Sequence, residues 1–127
     1  MKNPTIKPPA PNVSELSIVH KIGELYKKLY QLGNKIPKRD KFGIHLKIEK
    51  LCLDSLSLSI QAGLSSRETK TVYLEKLRIT AENTKHLVRM ANELKIFDDK
   101  IYLCLQSDLQ EVSKMATAWK KYAQKEP

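Results

Sequence analysis

The chain has 127 residues, of which 41% are hydrophobic and 29% are charged, and it contains only 4 glycines. This length allows one domain with a single core that needs no disulfide or metal, and so few glycines disfavour a turn-rich β fold. Lys and Arg outnumber Asp and Glu by 23 to 14, for a formal net charge of +9. Such an excess favours a polyanionic partner, with nucleic acid ahead of an acidic membrane or protein surface, and the alternative is a basic surface that only keeps the protein soluble.

The start of the chain is rich in proline. Four prolines among residues 1–13 predict a disordered or polyproline-like tail, followed by one helical domain over residues 14–124. No stretch approaches the roughly 20 consecutive apolar residues that span a bilayer, and no apolar signal core is visible. We therefore expect a cytoplasmic protein without a membrane partner. Cys52 and Cys104 are the two cysteines, and we expect both to be reduced.

Four segments with helical periodicity follow the tail, separated by short breaks. The first helix is predicted over residues 14–32, with Ser14 as its N-cap and Gly33 directly after its last turn. The second is predicted over residues 38–62, with Gly63 as its stop.

The third helix is predicted to open with Ser65 and Glu68 as a capping box and to reach residue 94 or 96. The fourth is predicted over residues 98–122, because two successive aspartates suit the positive end of a helix dipole. Loops of a few residues cannot cross the length of a bundle, so neighbouring helices must be antiparallel. The sequence therefore predicts an all-α, antiparallel, up-down-up-down four-helix bundle.

The second and third predicted helices have apolar residues on two sides. One side faces the core, and exposed rows of this length on the other side usually mark a subunit contact, so we predict a homo-oligomer. The alternative is that the first and fourth helices cover both rows. The core side comprises Ile44, Ile48, Leu51, Leu58 and Ala62 on the second helix and Tyr73, Leu77, Thr84, Leu87 and Ala91 on the third. The predicted oligomer interface comprises Phe42, Leu46, Leu53, Leu56, Ile60, Val72, Ile79, Met90 and Phe97.

Basic residues concentrate in three places: a seven-residue repeat on the outside of the first helix, one line along the third helix, and the loop and start of the second helix. They suit sequence-independent contact with a phosphate backbone, and the alternative is a solvated face with local ion pairs. The amides at the start of the second helix could add donors to phosphate. The predicted nucleic-acid-binding residues are Lys21, Lys28, Lys35, Lys38, Arg39, Lys41, Lys47, Arg67, Arg78, Lys85 and Arg89.

Catalytic and metal-binding patterns are weak. His45, Glu49 and Cys52 share one side of the second helix and could offer three ligands, but a partly buried histidine beside a core cysteine is far commoner. No phosphate loop, nucleophile elbow or pair of catalytic acids is visible. We therefore predict no enzyme activity, no metal and no cofactor. Trp119 and Tyr122 are expected to close the core rather than to stack on a base.

Three runs of the sequence resemble the family that contains the accessory variability determinant (Avd) of diversity-generating retroelements. They are residues 36–44 (IPKRDKFGI) with Ile48-Glu49, residues 87–94 (LVRMANEL), and residues 112–115 (VSKM) with Trp119. The resemblance covers most of residues 14–122, and the matching motif positions are Pro37, Lys38, Lys41, Arg89 and Trp119. The family often has a glycine pair before the tryptophan, where this chain has Thr117-Ala118.

The resemblance implies a four-helix subunit that assembles into a five-fold ring and binds RNA or DNA through a basic surface. In the retroelement branch it also implies binding to a reverse transcriptase, which needs this partner for mutagenic retrohoming. The same family includes four-helix proteins encoded in intervening sequences of 23S ribosomal RNA, so a structural or interaction protein without a polymerase partner is the alternative.

Overall fold

The computed structural model of the chain describes residues 11–125 and, from residue 17 onward, their side chains. Every regular element in this range is helical, which confirms the all-α class. The elements are α1 (Pro11–Leu32), a 3₁₀ turn (Gly33–Lys35), α2 (Lys38–Lys41), α3 (Ile44–Leu64), α4 (Arg67–Glu93) and α5 (Asp99–Lys125).

Each of the four long helices packs against two others. Helix α1 contacts α3 and α5, and α4 contacts the same two helices. Polar contacts show that α1 and α5 are antiparallel, because Lys21 reaches Glu111 in the middle of α5 whereas Lys28, two turns further along α1, reaches Cys104 near the start of α5. One end of the molecule therefore contains the C-terminal end of α1, the whole of α2 and the N-terminal end of α5.

The first two predicted helices differ from the observed ones. Helix α1 begins at Pro11, so Ser14 lies inside the helix instead of capping it; the rest of the predicted tail, residues 1–10, is outside the described residues. The second predicted helix is broken at Gly43 into α2 and α3. A Cβ atom on Gly43 would lie 2.8 Å from the carbonyl oxygen of Arg39, so the chain turns tightly where only glycine fits. Gly63 does not stop α3, which continues to Leu64.

The start of α4 is not the predicted capping box. The Ser65 hydroxyl donates to the carbonyl of Gln61 at 2.6 Å, which closes α3, and Ser66 is the residue before α4. The start of α5 agrees with prediction, because the Asp98 carboxylate accepts a hydrogen bond from the amide of Ile101 at 2.8 Å. Helix α5 then extends past Tyr122 to Lys125.

The core lies between the four long helices. The core side of α3 is rotated from the predicted one, because Ile44, Leu51 and Leu58 are only half-buried. Four of the six buried side chains of this helix are small, and the helix packs against α1 and α4. The buried residues of α3 are His45, Ile48, Cys52, Ser55, Ser59 and Ala62.

Phe97 was assigned to the exposed oligomer row, and that assignment is wrong. Its side chain is 1% exposed and packs edge-on against the imidazole of His45, with ring centroids 5.8 Å apart. The helical wheel failed here because α4 ends at Glu93, so Phe97 lies in the connection to α5 and not on the face that periodicity assigned.

Candidate nucleic-acid interface

Basic residues, most of them exposed, lie at the end of the molecule formed by the close of α1, α2, the start of α3 and the connection from α4 to α5. We call this surface the basic end. Most of its cations have no carboxylate of the described residues within 4.0 Å, although the Arg39 guanidinium lies 3.6 Å from Asp40 and Lys41 lies over the Phe42 ring. The basic end comprises Lys35, Lys38, Arg39, Lys41, Lys47, Lys95 and Lys100.

A buried histidine holds the elements of the basic end together. His45, in the first turn of α3, is 0% exposed, and its Nε2 lies 2.8 Å from the carbonyl oxygen of Leu29 in α1. This distance requires Nε2 to carry a proton and donate it. Gly33 passes so close that a Cβ atom there would lie 3.4 Å from Nε2, and Phe97 covers the ring from the α4–α5 connection. His45 therefore fixes how these three chain segments meet.

The same contacts explain the group of His45, Glu49 and Cys52. The His45 imidazole donates a hydrogen bond to the carbonyl of Leu29, and the Cys52 thiol donates one to the carbonyl of Ile22 at 3.7 Å. Burial, with a smaller contribution from Glu49, raises the pKa of Cys52 to about 12. The expectation of a buried histidine beside a core cysteine is confirmed. Residues 17–125, whose side chains the structure describes, contain no cluster of three His, Cys, Asp or Glu side chains able to hold a metal ion.

Two of the three lysines in the predicted ladder on α1 form ion pairs with α5. Lys21 lies 3.0 Å from Asp108 and 2.8 Å from Glu111, and Lys28 lies 2.7 Å from Asp108. Burial raises the pKa of Asp108, but hydrogen bonds from Lys28 and Lys21 outweigh it, so the net pKa is lowered. These lysines join α1 to α5. Lys35, at the end of the ladder, has no such partner among the side chains of residues 17–125.

The predicted basic line on α4 is largely neutralised by its own acids. Arg78 lies 2.6 Å from Glu75, and Lys85 lies 2.9 Å from Glu82. Glu75 also accepts from Lys120 of α5 at 3.1 Å, and these hydrogen bonds lower the pKa of Glu75 to about 2. Arg89, at the close of α4, is exposed, and Arg67 is half-buried at its start. In the middle of the basic line on α4, the structure therefore agrees with the alternative given above, a helix face with local ion pairs.

Sequence reasoning missed several exposed cations. Lys95 follows the end of α4 with a positive φ of 67°, and it is exposed in the connection from α4 to α5. Lys100 lies in the first turn of α5. Both lysines could have been predicted from the sequence, because each lies next to a predicted helix end and the ends of antiparallel helices meet in space. Three more lysines, at positions 114, 121 and 125, lie exposed on the outward face of α5.

The predicted oligomer residues occupy two separate surfaces. On α3, Leu53 is 43% exposed and Ile60 is 39% exposed, and on α4, Val72, Ile79 and Met90 are 45% to 52% exposed. Polar residues of α3, among them Lys50, Asp54 and Ser57, are exposed on the side of α3 between the two rows. Phe42 is 65% exposed beside α2, whereas Leu46 and Leu56 are half-buried. Exposed apolar residues that were not predicted are Tyr30, Leu64, Leu94 and Leu103.

Comparison with known protein families identifies one family that matches this chain. A family model described as bAvd-like matches residues 16–123, which include almost all of the four long helices. The chain belongs to the bAvd-like family. Proteins of this Avd-type four-helix family are accessory and non-catalytic. No curated protein and no solved structure matches the chain.

The motif residues of this bAvd-like chain serve two purposes. Pro37, Lys38 and Lys41 lie in or directly before α2, so they belong to the basic end. Trp119 is instead 2% exposed in the core, as expected, and the ammonium of Lys70 lies 5.6 Å from the centre of its ring. None of the helices among residues 11–125 is both long enough and apolar enough to cross a bilayer.

Proposed function

We propose that this bAvd-like protein is a non-catalytic accessory subunit that holds RNA or DNA on a basic oligomeric surface and binds a reverse transcriptase, supporting mutagenic retrohoming of a diversity-generating retroelement. Family membership supports the accessory role. The observation that carries nucleic-acid binding is the basic end, where Lys35, Lys38, Lys47, Lys95 and Lys100 have no acidic partner among the described residues. Unpaired ammonium groups can release counterions from a phosphate backbone, which drives sequence-independent binding.

The proposed assembly is a ring of five antiparallel up-down-up-down bundles. The apolar rows of α3 and α4 support it, because they lie on different faces of one subunit. A two-fold dimer pairs one patch with itself, whereas a ring joins two different patches of successive subunits. The rows thus suit a head-to-tail contact in which α3 of one subunit meets α4 of the next.

A fluorescence-anisotropy titration with labelled duplex DNA and single-stranded RNA, repeated from low to high salt, tests the nucleic-acid part. We expect affinity to fall with salt, with a log–log slope of about −4 to −6 on duplex DNA if about five or six phosphates are neutralised. The triple variant Lys38→Ala, Arg39→Ala, Lys47→Ala is expected to reduce the magnitude of that slope by about 2 to 3.

The matched control removes the same number of cations elsewhere, as Lys27→Ala, Arg78→Ala, Lys85→Ala. Each of these side chains already pairs with a glutamate, at 3.0 Å, 2.6 Å and 2.9 Å respectively. The control is therefore expected to change the slope much less than the triple variant at the basic end. Equal losses in both variants would mean that only net charge matters and would contradict a localised site.

Copurification with the reverse transcriptase encoded beside this gene tests the polymerase part. We expect a neighbouring reverse-transcriptase gene with template and variable repeats, and a stable complex of the two proteins. Nucleic-acid binding without such a neighbour or complex would instead favour the interaction protein of the 23S ribosomal RNA intervening-sequence type.

A further inference from the structure

An open groove runs between the close of α1 and the start of α5, beside the basic end. Its volume is about 720 Å³. Leu32 from α1 and Ile101 and Leu105 from α5 form an aliphatic floor. The exposed thiol of Cys104 also lines the groove. An aliphatic floor of this kind can accept an apolar side chain of a ligand.

The rim of the groove offers hydrogen-bond donors that the described residues leave unused. Gln31 and Asn34 are exposed and have no hydrogen-bond partner among residues 17–125. The same holds for the ammonium groups of Lys35 and Lys100, which approach the groove from the 3₁₀ turn after α1 and from α5. Amide and ammonium donors on both walls suit a ligand that brings carboxylates and peptide carbonyls.

One carboxylate, Asp98, lines the groove, and its single negative charge is outnumbered by the lysines of the lining. Asp98 uses its carboxylate to accept the amide of Ile101 at 2.8 Å. Lys28 is matched by Asp108 at 2.7 Å. Lys35 and Lys100 therefore supply the cationic charge of the rim that remains free for a ligand, and the positive end of α5 adds to it.

We propose that this groove docks an acidic amphipathic segment of a partner protein, with one or two aliphatic side chains on the floor and carboxylates at Lys35 and Lys100. Such helix-in-groove recognition uses apolar anchors one turn apart, and the flanking charges set orientation. The inference rests on the proposed function for the partner's role, since it places a protein partner next to the nucleic acid held at the basic end. Binding in the groove itself does not require nucleic-acid binding.

The lining favours a peptide over a nucleobase. Unpaired bases bind proteins by stacking on aromatic rings or on arginine planes. Among the described residues, the groove is lined by aliphatic, amide, thiol, lysine and carboxylate side chains, with neither an aromatic ring nor a guanidinium. A stretched single strand would find cations here but no surface for its bases.

The two cysteines provide a direct measure of groove occupancy. Cys104 is exposed in the groove, whereas Cys52 is 2% exposed and its pKa is raised to about 12 by burial. Alkylation of the folded full-length protein by neutral iodoacetamide, followed by intact mass spectrometry, should therefore modify Cys104 alone. The probe is a peptide of about 18 residues that combines glutamates with leucines at helical spacing, and its matched control has lysine in place of every glutamate. We expect the acidic probe to slow alkylation at least about fivefold at saturation and the basic peptide to leave it unchanged.

Variants separate the groove from general charge. Lys35→Ala, Lys100→Ala should abolish the protection, whereas Lys114→Ala, Lys121→Ala, which removes two exposed lysines from the outward face of α5, should retain it. Absence of protection by the acidic peptide, or protection that survives the first variant, overturns the proposal. So does equal or stronger protection by an oligothymidylate, which would identify a nucleic-acid site. Anisotropy of a labelled duplex, read in the same samples, reports the proposed function separately.

Discussion

Asp108 provides the sharpest test of how the helices are held together. Its side chain, 11% exposed, accepts from Lys28 at 2.7 Å and from Lys21 at 3.0 Å, so one carboxylate of α5 holds two lysines of α1. The substitution Asp108→Asn keeps the size of the side chain and removes its charge. The matched control is Glu24→Gln, which removes the charge from an exposed pair with Lys27 at 3.0 Å.

The loss of unfolding free energy expected for Asp108→Asn depends on how exposed its two lysine partners are. A hydrogen bond to a charged group contributes about 1.5–3 kcal/mol when it is buried. The lysine side chains are 27% and 46% exposed and can turn to water, so we expect a total loss of about 2 kcal/mol rather than the sum of two buried bonds. The exposed control pair is screened by water, so Glu24→Gln is expected to leave the unfolding midpoint almost unchanged.

Urea unfolding at fixed protein concentration, followed by the fluorescence of Trp119, measures both variants. A loss of about 2 kcal/mol moves the midpoint by about 1 M when the slope is about 2 kcal/mol per molar. The dependence on pH has a defined sign. Because the folded-state pKa of Asp108 is lowered, its contribution is fully present above the unfolded value of about 3.9 and is lost as the pH falls through the folded value.

The difference between wild type and Asp108→Asn should therefore be constant from pH 7 to about 5 and shrink towards pH 3. An unchanged midpoint for Asp108→Asn at pH 7 would refute the reasoning. So would a difference as large at pH 3 as at pH 7, because the stabilisation would then not come from the ionised carboxylate.

Three further predictions follow from the packing. Gly43→Ala should lower the free energy of unfolding, measured with urea, by about 1–3 kcal/mol, because its Cβ would meet the Arg39 carbonyl at 2.8 Å. The same variant should weaken duplex binding by displacing α2. If neither the stability nor the duplex affinity changes, the tight turn at Gly43 is contradicted. Phe97→Ala should lower the free energy of unfolding by about 3–5 kcal/mol, as expected for a buried aromatic ring. If Phe97 were instead part of a subunit contact, the substitution would change the oligomeric state and leave the stability of the subunit nearly unchanged. Ile79→Asp, on the exposed row of α4, should lower the molar mass measured by light scattering, whereas Ser107→Asp, at an exposed position of α5 outside both apolar rows, should not. Two identical masses would remove the α4 row from the interface.

Local sequence features determined much of the fold. The four helical segments follow from apolar periodicity, and the start of α5 follows from Asp98, whose carboxylate can satisfy an amide within its own turn. The buried residues of α1 also recur at helical spacing, with Ile18, Ile22 and Leu29 at 1% exposure. The motif runs of residues 36–44 and 87–94 predicted the family, because they depend on residue identity alone.

Other features depended on contacts between residues distant in the chain. No local rule places Lys21 and Lys28 beside Asp108, 87 and 80 residues away, so the sequence could not distinguish a free basic ladder from a set of ion pairs between helices. The break at Gly43 and the burial of Phe97 arise where segments meet around His45, and a helical wheel assumes one continuous helix.

The sequence by itself determined the helices, the positive charge and the family, since each is fixed by residue type and short-range spacing. Only the tertiary structure decided which cations remain unpaired, because a charge is free or neutralised according to the side chains that folding brings within about 4 Å of it. It also decided that the groove of Leu32, Ile101 and Cys104 exists, since its two walls belong to α1 and α5 and meet only when those helices pack.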